Sequence, residues 1–255
     1  MNRMVSFIGA GPGAVDLITV RGQKLLSEAD VIIYAGSLVN KGLLNLKKDG
    51  CEVHNSASMT LDEVITVMVD AFKKNKTIAR LHTGDPSLYG AIREQMDALK
   101  SHDIPYEVIP GVSSFLGAAA ALRTEFTLPG VSQTIILTRM EGRTSVPEKE
   151  SIERLASHIS TMVIFLSTTM LEELTKRLLA GGYKRDTRAA IVYKATWDDQ
   201  KVVRTTVEGL AQAARENDIA KTALILVGDF LGDDYELSKL YDPSFSHEYR
   251  GGLQK

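Results

Sequence analysis

Apolar residues change their spacing repeatedly along this chain, and the changes mark its elements. Val5, Phe7 and Ile8 form a short strand-like block that ends in Gly9-Ala10-Gly11-Pro12-Gly13. Helical spacing follows over 19–29, and Val31-Ile32-Ile33-Tyr34 then predicts a strand buried on both faces. Leu61, Val64, Ile65, Met68 and Phe72 share one helical face, with Thr60 and Glu63 at capping-box spacing before it. A strand over 78–81 leads into the loop Thr83-Gly84-Asp85-Pro86. A helix presenting Ile92, Met96 and Leu99 follows, and then a strand over 106–109 closed by Pro110-Gly111. Strands alternating with helices predict an α/β domain with a parallel sheet.

The second half repeats the alternation. A small-residue helix over 113–122 and the turn Leu128-Pro129-Gly130 precede strands at 135–138 and 162–166. Leu171, Leu174 and Leu178 line a helix that Gly181-Gly182 should stop, and Thr169 and Glu172 repeat the capping-box spacing. Strands at 189–193, 202–206 and 224–227, with a helix over 210–217, complete a second α/β region whose sheet could be mixed. The expected division is 1–112, 113–232 and a polar, aromatic-dotted tail over 233–255 that is partly disordered.

Composition narrows the function classes. The 255 residues carry 44% hydrophobic and 24% charged positions, which excludes a disordered, collagenous or disulfide-scaffold chain. Thirty Lys and Arg against 32 Asp and Glu give a net charge of −2, so no chain-wide basic field recruits nucleic acid or anionic lipid. Cys51 is the only cysteine and has no internal partner, which suits a reducing compartment. No apolar stretch long enough for a signal peptide or membrane span adjoins Met1-Asn2-Arg3-Met4, so a cytoplasmic location is expected.

Three loops follow predicted strands and could carry chemistry. Gly9, Gly11 and Ala14 satisfy the dinucleotide pattern G-x-G-x-x-[G/A], but Pro12 removes an amide and Tyr34-Ala35-Gly36 offers no carboxylate for a ribose. The same glycines could simply make a tight turn. Asp85, in the loop before the third predicted helix, could be a helix cap or a ligand contact. Pro110-Gly111-Val112-Ser113-Ser114 is the third loop, and three small-residue loops at strand ends suit one ligand site.

These loops, with Leu17-Ile18-Thr19-Val20-Arg21-Gly22, resemble the tetrapyrrole methylases that use S-adenosylmethionine, and the likeness runs from Val5 to about Leu231. Three stretches resemble the branch of that family that methylates carbon 11 of precorrin-4, with or without cobalt, in cobalamin biosynthesis. They are Tyr34-Ala35-Gly36-Ser37-Leu38-Val39, Asn55-Ser56-Ala57-Ser58-Met59-Thr60 and Leu137-Thr138-Arg139-Met140-Glu141-Gly142-Arg143. The resemblance implies two α/β domains, a methyl donor held in a cleft between them, S-adenosylhomocysteine as product, and a homodimer. It implies donor contacts at Pro12, Thr83, Gly84, Asp85, Leu88, Ser113 and Ser114, and at Leu166, Ala195, Thr222 and Ala223. Ala14 and Ala195 depart from the aspartate and glycine that relatives carry there. Methylases of other tetrapyrrole positions, an NAD(P)-linked oxidoreductase and a tetrapyrrole carrier are the rival readings.

A macrocycle rich in acetate and propionate groups calls for Arg and Lys, whose side chains bind carboxylates. Arg21, Arg93, Arg139, Arg143 and Lys194 are the candidates, although the first reading of each is a solvated surface charge. Tyr34, Tyr89 and Tyr193 could pack on the ring or be ordinary half-buried aromatics. His54, His82, His102, His158 and His247 lack paired metal spacing, so no protein-bound metal is expected.

Overall fold

A computed structural model describes residues 4–251. The chain divides into two compact units, Met1–Ala121 with Lys194–Lys201, and Leu122–Tyr193 with Val202–Lys255. The sequence placed a division at 112/113. The structure assigns the following helix, up to Ala121, and a return segment over 194–201 to the first unit.

The first unit runs β1 (Val5–Gly9), α1 (Val20–Glu28), β2 (Val31–Tyr34), β3 (Glu52–Asn55), α2 (Leu61–Lys73), β4 (Ile78–His82), α3 (Ile92–Ser101), β5 (Tyr106–Ile109) and α4 (Ser114–Leu122). Its sheet has the order β3-β2-β4-β1-β5, and every pairing is parallel. β1, β2 and β4 are buried throughout, as central strands covered on both faces must be. Phe7, Val31, Ile33 and Ile78 pack with α2 and α3 on one face. Ile8, Ile32, Leu81 and Ile109 pack with Leu26 of α1 and Leu43 on the other. Thr60 and Glu63 form the expected capping box on α2, which contributes about 1 kcal/mol. Thr19 caps α1 by accepting from the Gly22 amide.

The second unit runs β6 (Ile135–Arg139), α5 (Ile152–Ala156), β7 (Thr161–Phe165), α6 (Leu171–Ala180), β8 (Arg188–Tyr193), β9 (Lys201–Thr206), α7 (Leu210–Glu216) and β10 (Ala223–Val227). Its sheet is mixed, in the order β6-β7-β10-β8-β9. β6 lies parallel to β7, and β10 lies antiparallel to both β7 and β8. Leu171, Leu174 and Leu178 of α6 enter the core with Ile164, Ile191 and Ile225, as their spacing requires.

The second capping box does not form. A 3-10 turn over Thr168–Met170 precedes α6, so Met170 is the cap residue without a side-chain bond. Glu172, one position too early to reach back, pairs instead with Arg215 of α7 at 2.9 Å. In the tail, residues 252–255 lie outside the described residues. Before them a 3-10 turn spans Lys239–Tyr241, and Arg250 donates to the carbonyls of Leu240 and Asp242 at 2.8 Å each.

Candidate functional site

β4, β1 and β5 are neighbours in a parallel sheet, so the loops after them emerge at one edge, where open α/β sheets bind ligands. They meet backbone to backbone. Gly11 and Gly84 exchange hydrogen bonds, with the Gly84 amide on the Gly11 carbonyl at 2.8 Å and the reverse at 3.3 Å. A Cβ on Gly9 would lie 2.5 Å from the Gly111 Cα and 2.6 Å from the Gly84 carbonyl oxygen, so a side chain there would drive the loops apart. Gly84 also has φ +61°, in the left-handed region that favours glycine.

Asp85 fastens two of these loops. One oxygen accepts from the Gly111 amide at 2.8 Å, and the other accepts from the Ser87 amide at 2.8 Å and from the Ser87 hydroxyl. Burial pushes the Asp85 carboxyl up, but these donors outweigh it and hold the group below the usual carboxylate range. The helix-cap reading of Asp85 is corrected here: α3 starts at Ile92 behind Ala91, which makes no side-chain cap bond.

Most amides of the first loop are already engaged within the chain. The Ala10 amide donates to the His82 carbonyl at 2.7 Å, the Gly11 amide is engaged with Gly84, and the Ala14 amide donates to the Thr196 hydroxyl at 3.0 Å. Pro12 has no amide hydrogen; its carbonyl accepts from the Trp197 indole at 3.1 Å. A 3-10 turn over Val15–Leu17 separates the loop from α1, so no helix N-terminus stands at the glycines. The dinucleotide fingerprint is therefore a loop-packing motif here. Thr196 and Trp197, which hold this loop, carried no motif in the sequence. That Trp197 is the only tryptophan of the chain was the available signal.

What remains free at this edge is hydroxyl chemistry. Among the described residues, the side chains of Thr83, Ser113 and Ser114 have no hydrogen-bond partner, although Ser113 is only 5% exposed. Gly84 is buried and Leu88 half-buried beside them, giving an edge of hydroxyls, backbone and aliphatic surface. Such an edge suits a ligand with both polar and apolar parts. S-adenosylmethionine, a net cation whose adenosine and amino-acid arm carry both, is of that kind, and the residues present fit it.

In the second unit, β7 ends and β10 begins at one sheet edge because the two strands are antiparallel. Leu166 follows β7 with φ +53° and is 65% exposed, while Thr222 precedes β10 with φ +58°. Left-handed non-glycine residues are strained by about 1–2 kcal/mol each and need support. The fully buried Ser167 hydroxyl accepts from the Met140 amide at 2.9 Å and donates to the Phe165 carbonyl at 2.7 Å. Thr168 donates to the Ala223 carbonyl at 3.2 Å. Ala195 sits in the return segment of the first unit, buried.

The proposed substrate cations differ in their engagements. Arg21 pairs with Glu107 at 2.5 Å, Arg93 with Asp97 at 2.9 Å, and Lys194 with Asp199 at 2.6 Å. Arg139 donates to the carbonyls of Met140, Thr144 and Ser145, and so shapes its own loop. Only Arg143 of the five is exposed with no ion pair or hydrogen bond among the described residues. Tyr34 belongs to the core beside α1, the ordinary-aromatic reading, whereas Tyr89 is exposed. Among the described residues no group of three or more His, Cys, Asp or Glu could hold a metal, and no helix is long and apolar enough to cross a membrane.

The first unit is an open parallel α/β sheet with packed glycine loops at its ligand edge, and the second is a mixed α/β sheet. A family model described as Tetrapyrrole (Corrin/Porphyrin) Methylases matches residues 4–211, and the chain belongs to that family. It is 54% identical over 255 residues to a cobalt-precorrin-4 C(11)-methyltransferase of Methanocaldococcus jannaschii, covering 100% of this chain and 98% of that protein. It is 44% identical to a precorrin-4 C(11)-methyltransferase of Pseudomonas aeruginosa, covering 97% and 99%. Among solved structures, a cobalt precorrin-4 methyltransferase of cobalamin biosynthesis superposes with a TM-score of 0.88 at 49% identity, covering 90% of this chain and 96% of that one. A Thermus thermophilus uroporphyrin-III C-methyl transferase complexed with S-adenyl homocysteine shares the fold, with a TM-score of 0.73 at 24% identity and coverage of 89% and 93%.

Proposed function

We propose that this chain transfers a methyl group from S-adenosylmethionine to carbon 11 of cobalt-precorrin-4, releasing S-adenosylhomocysteine. The observation that carries the reading is the set of hydroxyls at Thr83, Ser113 and Ser114 that have no partner among the described residues, on loops whose glycines pack against one another. Donor contacts are assigned to these residues with Pro12, Gly84, Asp85 and Leu88, and to Leu166, Ala195, Thr222 and Ala223. Identities of 54% and 49% to proteins named for the cobalt form, against 44% for one named for the metal-free form, favour the cobalt substrate.

Bound S-adenosylmethionine would supply a methyl group on a sulfonium, a leaving group that needs no nucleophilic side chain. Transfer would break the sulfur–methyl bond with its electron pair staying on sulfur and form a carbon–carbon bond at the ring, balanced by loss of a ring proton to water or to the substrate's own carboxylates. The protein's contribution is to hold donor and ring carbon in line and to exclude water, effects that can supply about 7–11 kcal/mol. Arg143 is the side chain assigned to the ring's carboxylate rim, and Tyr89, within the second loop, is assigned to packing on the ring. The enzyme is assigned to the cytoplasm and to a homodimer, and sedimentation of the purified chain tests the homodimer.

The decisive experiment supplies methyl-labelled S-adenosylmethionine with cobalt-precorrin-4 and locates the label by NMR. Label at carbon 11 is expected. Label at another carbon moves the enzyme to another branch of the family, and absence of label with metal-free precorrin-4 as well removes the reading.

A further inference from the structure

The loop from Thr83 to Ala91 is folded under strain. Besides Gly84, Tyr89 and Ala91 have φ of +56° and +48°, and a Cβ on Gly90 would lie 2.2 Å from the Pro86 carbonyl oxygen. Asp85 holds the near end of this loop. Its far end is held from beneath by an arginine that no sequence motif marks.

Arg80, on β4, is 6% exposed and has no carboxylate partner among the described residues. Its Nε donates to the Gln95 Oε1 at 3.0 Å, and one Nη donates to the Ile33 carbonyl at 3.3 Å. Gln95, itself 5% exposed, donates from its Nε2 to the Ala91 carbonyl at 3.0 Å. One guanidinium therefore connects the end of β2, the first turns of α3 and the left-handed residue that closes the loop. A guanidinium buried without a counter-ion is costly, and an apolar side chain of similar length would be the more stable occupant. Burial pushes the Arg80 guanidinium down to about 10, so it keeps its proton and all its donors at neutral pH.

We infer that Arg80 is a positioning residue for the donor loop, fixing Ala91 through Gln95 so that Thr83, Gly84 and Leu88 keep the geometry the donor needs. The inference rests on the donor-binding reading above. It differs from a plain structural role in what it predicts: loss of donor affinity without matching loss of stability.

The test titrates S-adenosylhomocysteine into the full chain and into three variants. The double variant Arg80→Met with Gln95→Met removes both polar partners together. Gln95→Glu keeps an acceptor for Arg80, and even gives it a counter-ion, but loses the donor to Ala91. Arg80→Lys keeps the charge without the planar fork. Donor Kd should rise about tenfold in the double variant and in Gln95→Glu, the scale of one charge-assisted or strain-holding hydrogen bond, and should rise likewise in Arg80→Lys, where the charge alone does not hold Gln95. The tetrapyrrole KM and Tm should stay near wild type. Wild-type affinity in Gln95→Glu, or losses of Tm and tetrapyrrole KM in step with donor affinity, overturns the inference. Failure of the wild type to bind S-adenosylhomocysteine overturns the donor reading instead. Hydrogen exchange across 83–91, expected about tenfold faster in the double variant, then still decides whether Arg80 holds the loop.

Discussion

Replacing Asp85 with Asn tests whether the second and third loops are fastened by charge. Asp85 accepts from two backbone amides at 2.8 Å and from one hydroxyl, using both oxygens. The asparagine amide retains one oxygen and turns an NH2 group toward either the Gly111 amide or the Ser87 pair, so at least one backbone donor loses its acceptor. A hydrogen bond to a charged group contributes about 1.5–3 kcal/mol, and the half-buried setting of Asp85 places the loss near the lower end, about 2 kcal/mol. For a chain of this size that lowers Tm by about 4–8 °C. The acid limb provides an independent check. The carboxyl is held below its ordinary value in the folded chain, so its contribution is complete above about pH 4 and is lost as pH falls further through the folded value. Asp85→Asn should therefore converge on wild type in strong acid. Urea melts of both proteins at neutral pH and near pH 3 measure this. A neutral-pH difference below about 0.5 kcal/mol, or one that is unchanged at pH 3, refutes the clasp.

Four further outcomes are expected. Gly13→Ala puts a Cβ 2.1 Å from the Trp197 ring, so the indole must leave the Pro12 carbonyl at a cost of about 1–3 kcal/mol, and red-shifted emission of the single tryptophan reports it. Ser113→Ala should weaken S-adenosylhomocysteine binding about tenfold with Tm unchanged, since its hydroxyl has no partner among the described residues; calorimetry measures both. Arg143→Ala should raise the tetrapyrrole KM by about tenfold and leave donor affinity alone, as steady-state kinetics with each substrate varied will read. His82 is pushed down to about 3, first by burial and then by the Arg80 charge, so it stays neutral while an unfolded histidine takes up a proton below about pH 6.5. Its contribution is complete above that pH and falls by about 1.4 kcal/mol per unit toward pH 3, and His82→Phe should flatten the pH-dependence of urea melts over that window.

The parallel sheet was legible because its central strands are buried on both faces and read as unbroken apolar runs, and α2 was legible because its cap and its stripe agree. The mixed second sheet was open in the sequence, since Ala223–Val227 is as apolar in an antiparallel pair as in a parallel one. Thr169 and Glu172 matched a capping box in spacing alone. The 3-10 turn that moved the helix start is set by Ser167 and Thr168, which bond to Met140 and Ala223 far away in the chain. At the site, the three loops were visible as small-residue breaks after strands. The grip of Trp197 on Pro12 and of Arg80 on Ala91 through Gln95 was not, because neither contact has a local spacing to betray it.

The glycine fingerprint shows why the loops alone could not name a ligand. Gly9 and Gly11 are required in this chain, but by the approach of other backbone: Gly111 stands against Gly9, and Gly84 pairs with Gly11. In a dinucleotide site the same freedom from side chains lets the backbone approach a pyrophosphate. Both demands select glycine at the same spacing, so the pattern cannot separate them. The partners of the amides can. With the Ala10, Gly11 and Ala14 amides engaged within the chain and Pro12 lacking one, the first loop has few amides to give an anion. What this edge still offers among the described residues is the hydroxyls of Thr83, Ser113 and Ser114, and these are the groups to which the proposed donor contacts are assigned.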